Sequence, residues 1–405
     1  MNTARRTQGF RESVIRGMTR VAREAGSLNL AQGFPNFPAP DLLKEAAAQA
    51  IHDDINQYAI TWGAQRLRHA LASRYAEWYG IEADPDREIT VTCGATEAMI
   101  SALLALVNPG DEVIVFEPFY ENYGPDAILS DARPVFVPLA PGEPLDLDRL
   151  RAAVTPRTRA IIVNTPSNPA GRVLSLAELD GIRDLCVEHD LLAITDEIYE
   201  HILYDGKHIP LATLEGMRPR TVTISGASKT FSVTGWRIGW LIAPAELTDA
   251  IRKVHDFLTV GAPAPLQEGV AAGLELFEDS FYRELATAYR RRRDRLVSTL
   301  QTAGFRCVAP QGAYYILADF SPLSELDDTD FSLWLSREVG VTPVPGSSFY
   351  HDPTLGRHQV RFVFCKTDDV LEEAARRLTH VRAALAGEPI PERSAEAAIR
   401  SGLQR

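Results

Sequence analysis

Short runs of β-branched and aliphatic residues alternate along this chain with longer stretches of helical character. The runs are Glu88–Thr92 (EITVT), Asp111–Phe116 (DEVIVF), Pro134–Pro138 (PVFVP), Ala160–Asn164 (AIIVN), Leu191–Thr195 and Thr221–Ser225 (TVTIS). Such runs, punctuated by turn residues, predict strands. Helices are predicted over about 12–26, 41–52, 65–79, 98–107 and 175–190, the second opening on Asp41. A further apolar run, Trp236–Ile242, predicts another strand. Strand–helix alternation of this kind implies an α/β fold, a mostly parallel sheet with helices on both faces. Residues 246–300 read as helical, broken by Gly261-Ala262-Pro263-Ala264-Pro265. Strands at Phe305–Val308, Ala313–Asp319 and Gln359–Phe364, with a helix at 331–340, predict a smaller α+β unit. The expected organisation is an arm and part of the small unit at 1–45, a large domain at 46–295, the small domain at 296–386, and a loosely packed polar tail at 387–405.

Composition changes this picture little. The 405 residues are 45% hydrophobic and 24% charged, enough for a sizeable core. A net charge of −12 argues against nucleic acid or an anionic membrane as partner. The basic run Arg290–Arg293 reads as a solvated helix face. Cys93, Cys186, Cys307 and Cys365 are far apart, without paired or metal-type spacing, and are expected to be reduced and buried. No leader-like apolar core opens the chain and no run is long enough to span a bilayer, so a cytoplasmic protein is expected.

The chemistry gathers where predicted strands end. In open α/β sheets the strands' carboxyl ends carry the ligand site. Gly94, Phe119, Asn168, Asp196 and Lys229 each follow a strand. Cys93-Gly94-Ala95-Thr96-Glu97 has the strand–turn–helix form of an anion site, a weak signal alone. Lys229 leaves a strand end among small hydroxylated residues, with Arg237 eight positions on. A desolvated lysine is a nucleophile, and an arginine fork suits a phosphate. Together they point to a phosphorylated aldehyde held by the lysine amine, that is, pyridoxal 5′-phosphate (PLP).

With those residues in view, the chain resembles class I aminotransferases of PLP fold type I over roughly 10–385, most of all the kynurenine, glutamine and methionine branch. The likeness rests on Leu30-Ala31-Gln32-Gly33-Phe34-Pro35, Glu117-Pro118-Phe119-Tyr120, Asn164-Thr165-Pro166-Ser167-Asn168-Pro169, Thr195-Asp196-Glu197-Ile198-Tyr199-Glu200, Ser228 to Arg237, and Arg361-Phe362-Val363-Phe364. The resemblance implies that Lys229 holds PLP and moves the proton between substrate Cα and the cofactor, and that Asp196 pairs with the ring nitrogen. It implies that Tyr199 and Asn168 bond the ring oxygen and that Phe119 stacks on the ring. Gly94, Ala95, Thr96, Ser228 and Arg237 would hold the phosphate, and Arg361 and Gly33 the substrate carboxylate. Tyr58 would reach the phosphate of a neighbouring subunit, which makes a homodimer with sites at the interface. Two features depart from the expected pattern. Gly226 stands where the family usually has a phosphate-binding serine, flanked by Ser225 and Ser228, and Val260-Gly261 stands where kynurenine-type members place an aromatic and a histidine in a partner-subunit loop over the substrate.

The expected activity is transfer of the amino group of a neutral L-amino acid (aromatic, methionine, glutamine or kynurenine type) to a 2-oxo acid by a ping-pong route. Neutral donors are favoured because no second arginine stands out for a side-chain carboxylate. Alternatives are β-elimination from cysteine S-conjugates and a non-catalytic ligand-sensing domain. No Gly-x-Gly-x-x-Gly follows a strand with an acidic residue about twenty positions on, which removes a nicotinamide site.

Overall fold

The computed structural model describes residues 4–10 and 12–390. The part of the expected tail at 391–405 lies outside the described residues. In chain order the strands are β1 Leu28–Asn29, β2 Ile89–Thr92, β3 Glu112–Glu117, β4 Arg133–Pro138, β5 Thr158–Asn164, β6 Leu192–Asp196, β7 Thr221–Gly226 and β8 Gly239–Ile242. They continue as β9 Arg306–Cys307, β10 Tyr315–Asp319, β11 Val341–Thr342, β12 Val344–Pro345 and β13 Gln359–Val363.

The large sheet runs β2-β8-β7-β6-β5-β3-β4. Its neighbours pair in parallel except at β8, which is antiparallel to both β2 and β7. Side chains alternate across a strand, so each face receives every second residue. Val113, Val115, Ala160, Ile162 and Ile194 join one buried cluster with the helix Ala95–Leu106. Ile114, Ile161, Val163 and Ala193 join another with the helix Leu176–Glu188. That second helix begins with a capping box, Ser175 and Glu178 each bonding the other's backbone N–H.

A four-stranded antiparallel sheet, β12-β13-β10-β9, forms the smaller unit. The N-terminal β1 pairs in parallel with β11, so the start of the chain is tied to this later part. The expected border at 295/296 falls inside one helix, Asp279–Ala303. Tyr282 of that helix packs in the same cluster as Phe231 and Trp240. Tyr289, Leu296 and Leu300 pack with Phe362 and Phe364 of the small unit.

Several local expectations shift. β8 starts at Gly239 rather than Trp236, because Thr234–Trp236 forms a 3-10 turn and Arg237 takes a left-handed φ of 56°. The helical region divides at Phe277–Glu278 as well as near Gly261. The small unit's helix starts earlier, as Asp328–Trp334, and ends in a π turn, Leu335–Val339. Arg290–Arg293 is only partly solvated. Arg293 is buried with its Nη1 on Pro310 O, and Arg292 lies over the Phe37 ring at 4.6 Å. All four cysteines are free, but only Cys186 and Cys365 are fully buried. Among the described residues no helix is long and apolar enough to cross a membrane.

Candidate active site

The strand ends open on a cavity of about 350 Å³. Gly33, Ala95, Thr96, Asn168, Asp196, Tyr199, Ser228, Lys229, Arg237 and Arg361 all line it. Lys229 lies in the single helical turn that leaves β7. Its Nζ donates to Gly33 O at 3.2 Å and stands 6.0 Å from the centre of the Tyr199 ring. Burial pushes the amine down to about 8, so a sizeable neutral fraction exists near neutral pH.

Asp196 ends β6. It accepts the Tyr123 hydroxyl at 2.7 Å and the Ile198 N–H at 3.3 Å. Burial raises its carboxyl above the usual range, while those two donors favour the anion. Tyr199 shares a 2.7 Å hydroxyl contact with Tyr315 of β10, which joins the large-sheet site to the small unit. Burial raises both phenols, so they stay protonated and donate. Asn168 is held by its N–H on Asn164 Oδ1 at 2.8 Å, and Asn164 in turn bonds Asp196 O at 2.8 Å.

The turn after β2 has the form of an anion cradle. Gly94 has φ 83° and precedes the helix Ala95–Leu106, whose first two residues line the cavity. Arg237, held by Thr234 O at 3.1 Å and Cys93 O at 3.3 Å, crosses the turn. A Cβ on Gly94 would lie 2.2 Å from Arg237 Nη2, so a side chain there would displace the guanidinium. On the other side β8 touches the turn: a Cβ on Gly239 would lie 2.4 Å from Gly94 C and 2.5 Å from Ala95 N. Beneath, Glu97 accepts Cys93 N–H at 2.7 Å and faces His255 Nδ1 at 2.6 Å. His255 Nε2 donates to Thr61 O at 2.7 Å, which ties the turn to the loop that follows Tyr58. Burial lowers the imidazole, but the Glu97 bond and charge outweigh it and hold His255 above its ordinary value.

Arg361, on β13, is completely buried. Its Nη1 donates to Asn168 Oδ1 at 2.8 Å and its Nη2 to Ala31 O at 2.5 Å. Its Nε has no partner, and among the described residues no carboxylate pairs with it. The guanidinium lies between the rings of Tyr315 and Phe349, at 4.5 and 4.9 Å. A buried cation without an anion is costly, and it becomes useful when a ligand supplies the anion.

One expectation does not fit this geometry. Phe119 does not line the cavity. Its N–H is held by Phe349 O, and its ring packs on Phe136 at 5.2 Å, which turns it to the far side of the strand end. Its neighbour Tyr120 lines the cavity instead. Ser225 faces away as well and donates to Glu200. Gly226 has little room for a side chain: a Cβ there would lie 3.0 Å from both Gly239 Cα and Ile238 O. Tyr58 is 86% exposed and does not reach this chain's own cavity. Tyr120, Tyr123, Tyr315, Ile15 and Arg16 line the cavity unforeseen. For Tyr120 and Tyr123 a signal existed, three-residue helical spacing just after a strand end. For Ile15 and Arg16 none did, since only the folded arm brings them over the site.

An α/β sheet whose strand ends hold a half-buried lysine, a carboxylate and an anion cradle, faced by a buried arginine of the small sheet that has no carboxylate partner, defines a PLP-enzyme site. The described groups fit that cofactor: an amine of lowered pKa, a carboxylate for the ring nitrogen, and a glycine cradle with an arginine for the phosphate. The family "Aminotransferase class I and II" matches residues 25–378, and the chain belongs to it. It is therefore an aminotransferase of fold type I, and the family is PLP-dependent. It is 44% identical over 390 residues to a probable N-succinyldiaminopimelate aminotransferase of Mycobacterium tuberculosis, covering 93% of this chain and 98% of that one. It is 37% identical over 409 residues to human kynurenine–oxoglutarate transaminase 1, covering 93% and 97%. The solved structure of YbdL from Escherichia coli, a methionine aminotransferase, superposes with a TM-score of 0.90 at 36% identity, over 94% of this chain and 100% of that one.

Proposed function

We propose that this aminotransferase works by a ping-pong route, taking the amino group of a neutral L-amino acid and passing it to a 2-oxo acid. The reading rests above all on Arg361, a fully buried guanidinium that lacks a carboxylate and shares a cavity with Lys229. In this reading Arg361 and Gly33 hold the substrate α-carboxylate, which aims the Cα–H bond at Lys229. When bound, PLP supplies an acceptor for the electron pair left at Cα and a carrier for the amino group. The Lys229 amine takes the proton from Cα and returns it on the carrier side, a task suited to a group titrating near the working pH. Asp196, held by Tyr123, would keep the proton on the ring nitrogen, and Asn168 and Tyr199 would bond the ring oxygen. Tyr120, which lines the cavity, would take the place beside the ring expected for Phe119. Gly94, Ala95, Thr96, Ser228 and Arg237 would hold the phosphate.

Neutral donors are favoured by the apolar lining of Ile15, Phe34, Met99 and Tyr120. Names among the relatives, kynurenine and methionine, agree. A second reading has one observation behind it. Arg16 lies at the exposed rim of the cavity and makes no ion pair among the described residues, so it offers a cation to a distal carboxylate. That suits an acidic acylated donor, as in the N-succinyldiaminopimelate relative, or a dicarboxylic oxo acid.

The homodimer belongs to the same proposal. Tyr58, Ile60, Phe257, Leu258 and Val260 form an exposed apolar face, with Phe257 93% exposed, and Gly261 packs beside Thr61. A second copy seated there would bring its Tyr58 towards this chain's phosphate cradle. The free thiols suit a reducing, cytoplasmic setting.

The test is a visible spectrum of the holoenzyme mixed with single L-amino acids in the absence of an oxo acid. Loss of the cofactor band with stoichiometric oxo acid supports transamination, and the fastest donors define the substrate class. A persistent band with pyruvate released from cysteine S-conjugates would favour elimination instead.

A further inference from the structure

Among the described residues, Asp126 is the one buried acid with an unpartnered carboxylate oxygen. Asp126 is 5% exposed, lines the cavity, and has one carboxylate oxygen fully buried without any hydrogen-bond partner. The other buried acids are all engaged. Glu200 accepts from Tyr75, Tyr79 and Ser225, and Glu197 meets Thr195 and His208. Glu112 is paired with Arg157, Glu97 with His255, Glu117 with His351 N–H, and Asp328 with Ser347 N–H. A fully buried carboxylate oxygen left without a partner on the wall of a cavity calls for an explanation other than stability.

Its position supplies one. Asp126 belongs to the helix Tyr123–Leu129 and lies one turn beyond Tyr123, on the same face. Tyr123 is the residue whose hydroxyl holds Asp196 Oδ2 at 2.7 Å. We propose that Asp126 is a positioning residue of the cofactor site, a second carboxyl whose charge acts through Tyr123 on Asp196 and strengthens the hold of that pair on the ring-nitrogen proton. The inference rests on the PLP-site reading above. Burial alone raises the Asp126 carboxyl to about 7, with no cation or donor opposing it, so its charge changes in the working range. The titratable and charged groups that share the cavity lining with it are Tyr123 on its own helix, Tyr120 and Glu121 from the preceding loop, Asp196 from β6, Tyr199, Arg16, Lys229, Arg237, Tyr315 and Arg361. The helix Ala95–Leu106 contributes Ala95, Thr96 and Met99 to this lining, none of them charged, while Arg6, from the N-terminal turn, bonds at the far end of the helix Tyr123–Leu129, to Leu129 O and Asp131. A cationic ring beside Asp196 would lower the Asp126 pKa, and by reciprocity an ionised Asp126 raises the proton affinity of the bound chromophore.

The experiment is a pH titration of the holoenzyme's visible band, with thermal stability measured alongside, for wild type, Asp126→Asn, Tyr123→Phe and the double variant. The expected result is a midpoint lowered by about half a unit or more in Asp126→Asn, with thermal stability unchanged or raised. That shift should shrink in the Tyr123→Phe background, because the two residues act in series. An unchanged midpoint, or a shift equally large without Tyr123, would overturn the proposal. Should Asp126→Asn fail to fold as a holoenzyme, Asp126→Glu serves: a preserved midpoint supports a role for charge, and a midpoint lowered as in Tyr123→Phe contradicts it. A wild-type holoenzyme without any visible band would instead sink the cofactor reading itself.

Discussion

Arg361 and Asn168 meet in one hydrogen bond, Nη1 to Oδ1 at 2.8 Å, deep inside a protein that gives the guanidinium no carboxylate. The arginine is thereby aimed but not neutralised. Replacing it by lysine keeps the charge and loses the fork. Arg361→Lys should lower kcat/KM roughly 10- to 150-fold for every amino acid and oxo acid alike, the range for a lost charge-assisted hydrogen bond. Steady-state kinetics over a donor panel check this. In the cofactor-free protein, Arg361→Met should melt no lower than wild type, since it removes an unpaired buried charge.

Lys229 gives a pH signature with a definite sign. Its amine is pushed down to about 8 by burial, below the ordinary lysine value. The protonated form is unreactive, so the rate at which cofactor-stripped protein captures PLP should climb with pH and level off above about 8. Folding linkage runs the same way. Between about 8 and the unfolded value near 10.4 the unfolded chain binds more protons, so stability of the cofactor-free protein rises with pH there. Lys366, also buried and pushed to about 8, contributes to the same window. Lys229→Ala should abolish capture and flatten part of that rise, while leaving the share due to Lys366.

The Tyr199–Tyr315 pair predicts a milder defect. Tyr315→Phe removes a 2.7 Å hydroxyl contact and leaves the ring that covers Arg361. A loss of roughly 2- to 10-fold in kcat is expected, the worth of a neutral hydrogen bond, with little change in melting temperature. A loss of several hundredfold would mean that Tyr315 touches the reacting groups itself.

Arg16 separates the two substrate readings. Arg16→Gln should reduce kcat/KM for dicarboxylic oxo acids and acidic donors by roughly 2- to 10-fold, as befits an exposed ion pair or slightly better. Methionine and aromatic donors should be unaffected. Equal effects on both groups would remove the distal-carboxylate role.

Gly239 predicts loss of cofactor without loss of fold. Gly239→Ala drives a methyl into the Gly94–Ala95 backbone at 2.4–2.5 Å. Overpacking of this kind costs about 1–3 kcal/mol, here directed at the phosphate turn. PLP affinity measured by equilibrium dialysis should fall roughly 5- to 100-fold, with far-ultraviolet dichroism unchanged.

Much of this site could be read before the fold was seen, because its chemistry sits at strand ends. Asp196, Asn168 and Lys229 follow apolar runs whose ends are marked by turn residues, so backbone periodicity alone placed them on one edge of the sheet. Arg361 was legible only through its motif, since nothing in the local pattern of β13 says that its side chain points inward. Phe119 and Tyr120 differ only through tertiary packing. Adjacent residues leaving a strand face opposite ways, and which of them meets the cavity depends on Phe349 capturing the Phe119 N–H from 230 positions on in sequence. Arg16 and Tyr315 come from the arm and the small unit, and only tertiary packing brings them over the large sheet. The second break in the helical region was missed because Phe277–Glu278 carries neither glycine nor proline.

The helix Asp279–Ala303 starts in one core and ends in the other. At 1.5 Å per residue it is a rod of roughly 37 Å, stiff on the scale of the cavity it flanks. The two sheets are therefore skewered rather than tethered. If the small unit swings when substrate occupies Arg361, the swing cannot be taken up by slack chain at this crossing. It must appear as curvature of the rod or as sliding of Tyr282 against Phe231, whose rings lie 6.5 Å apart.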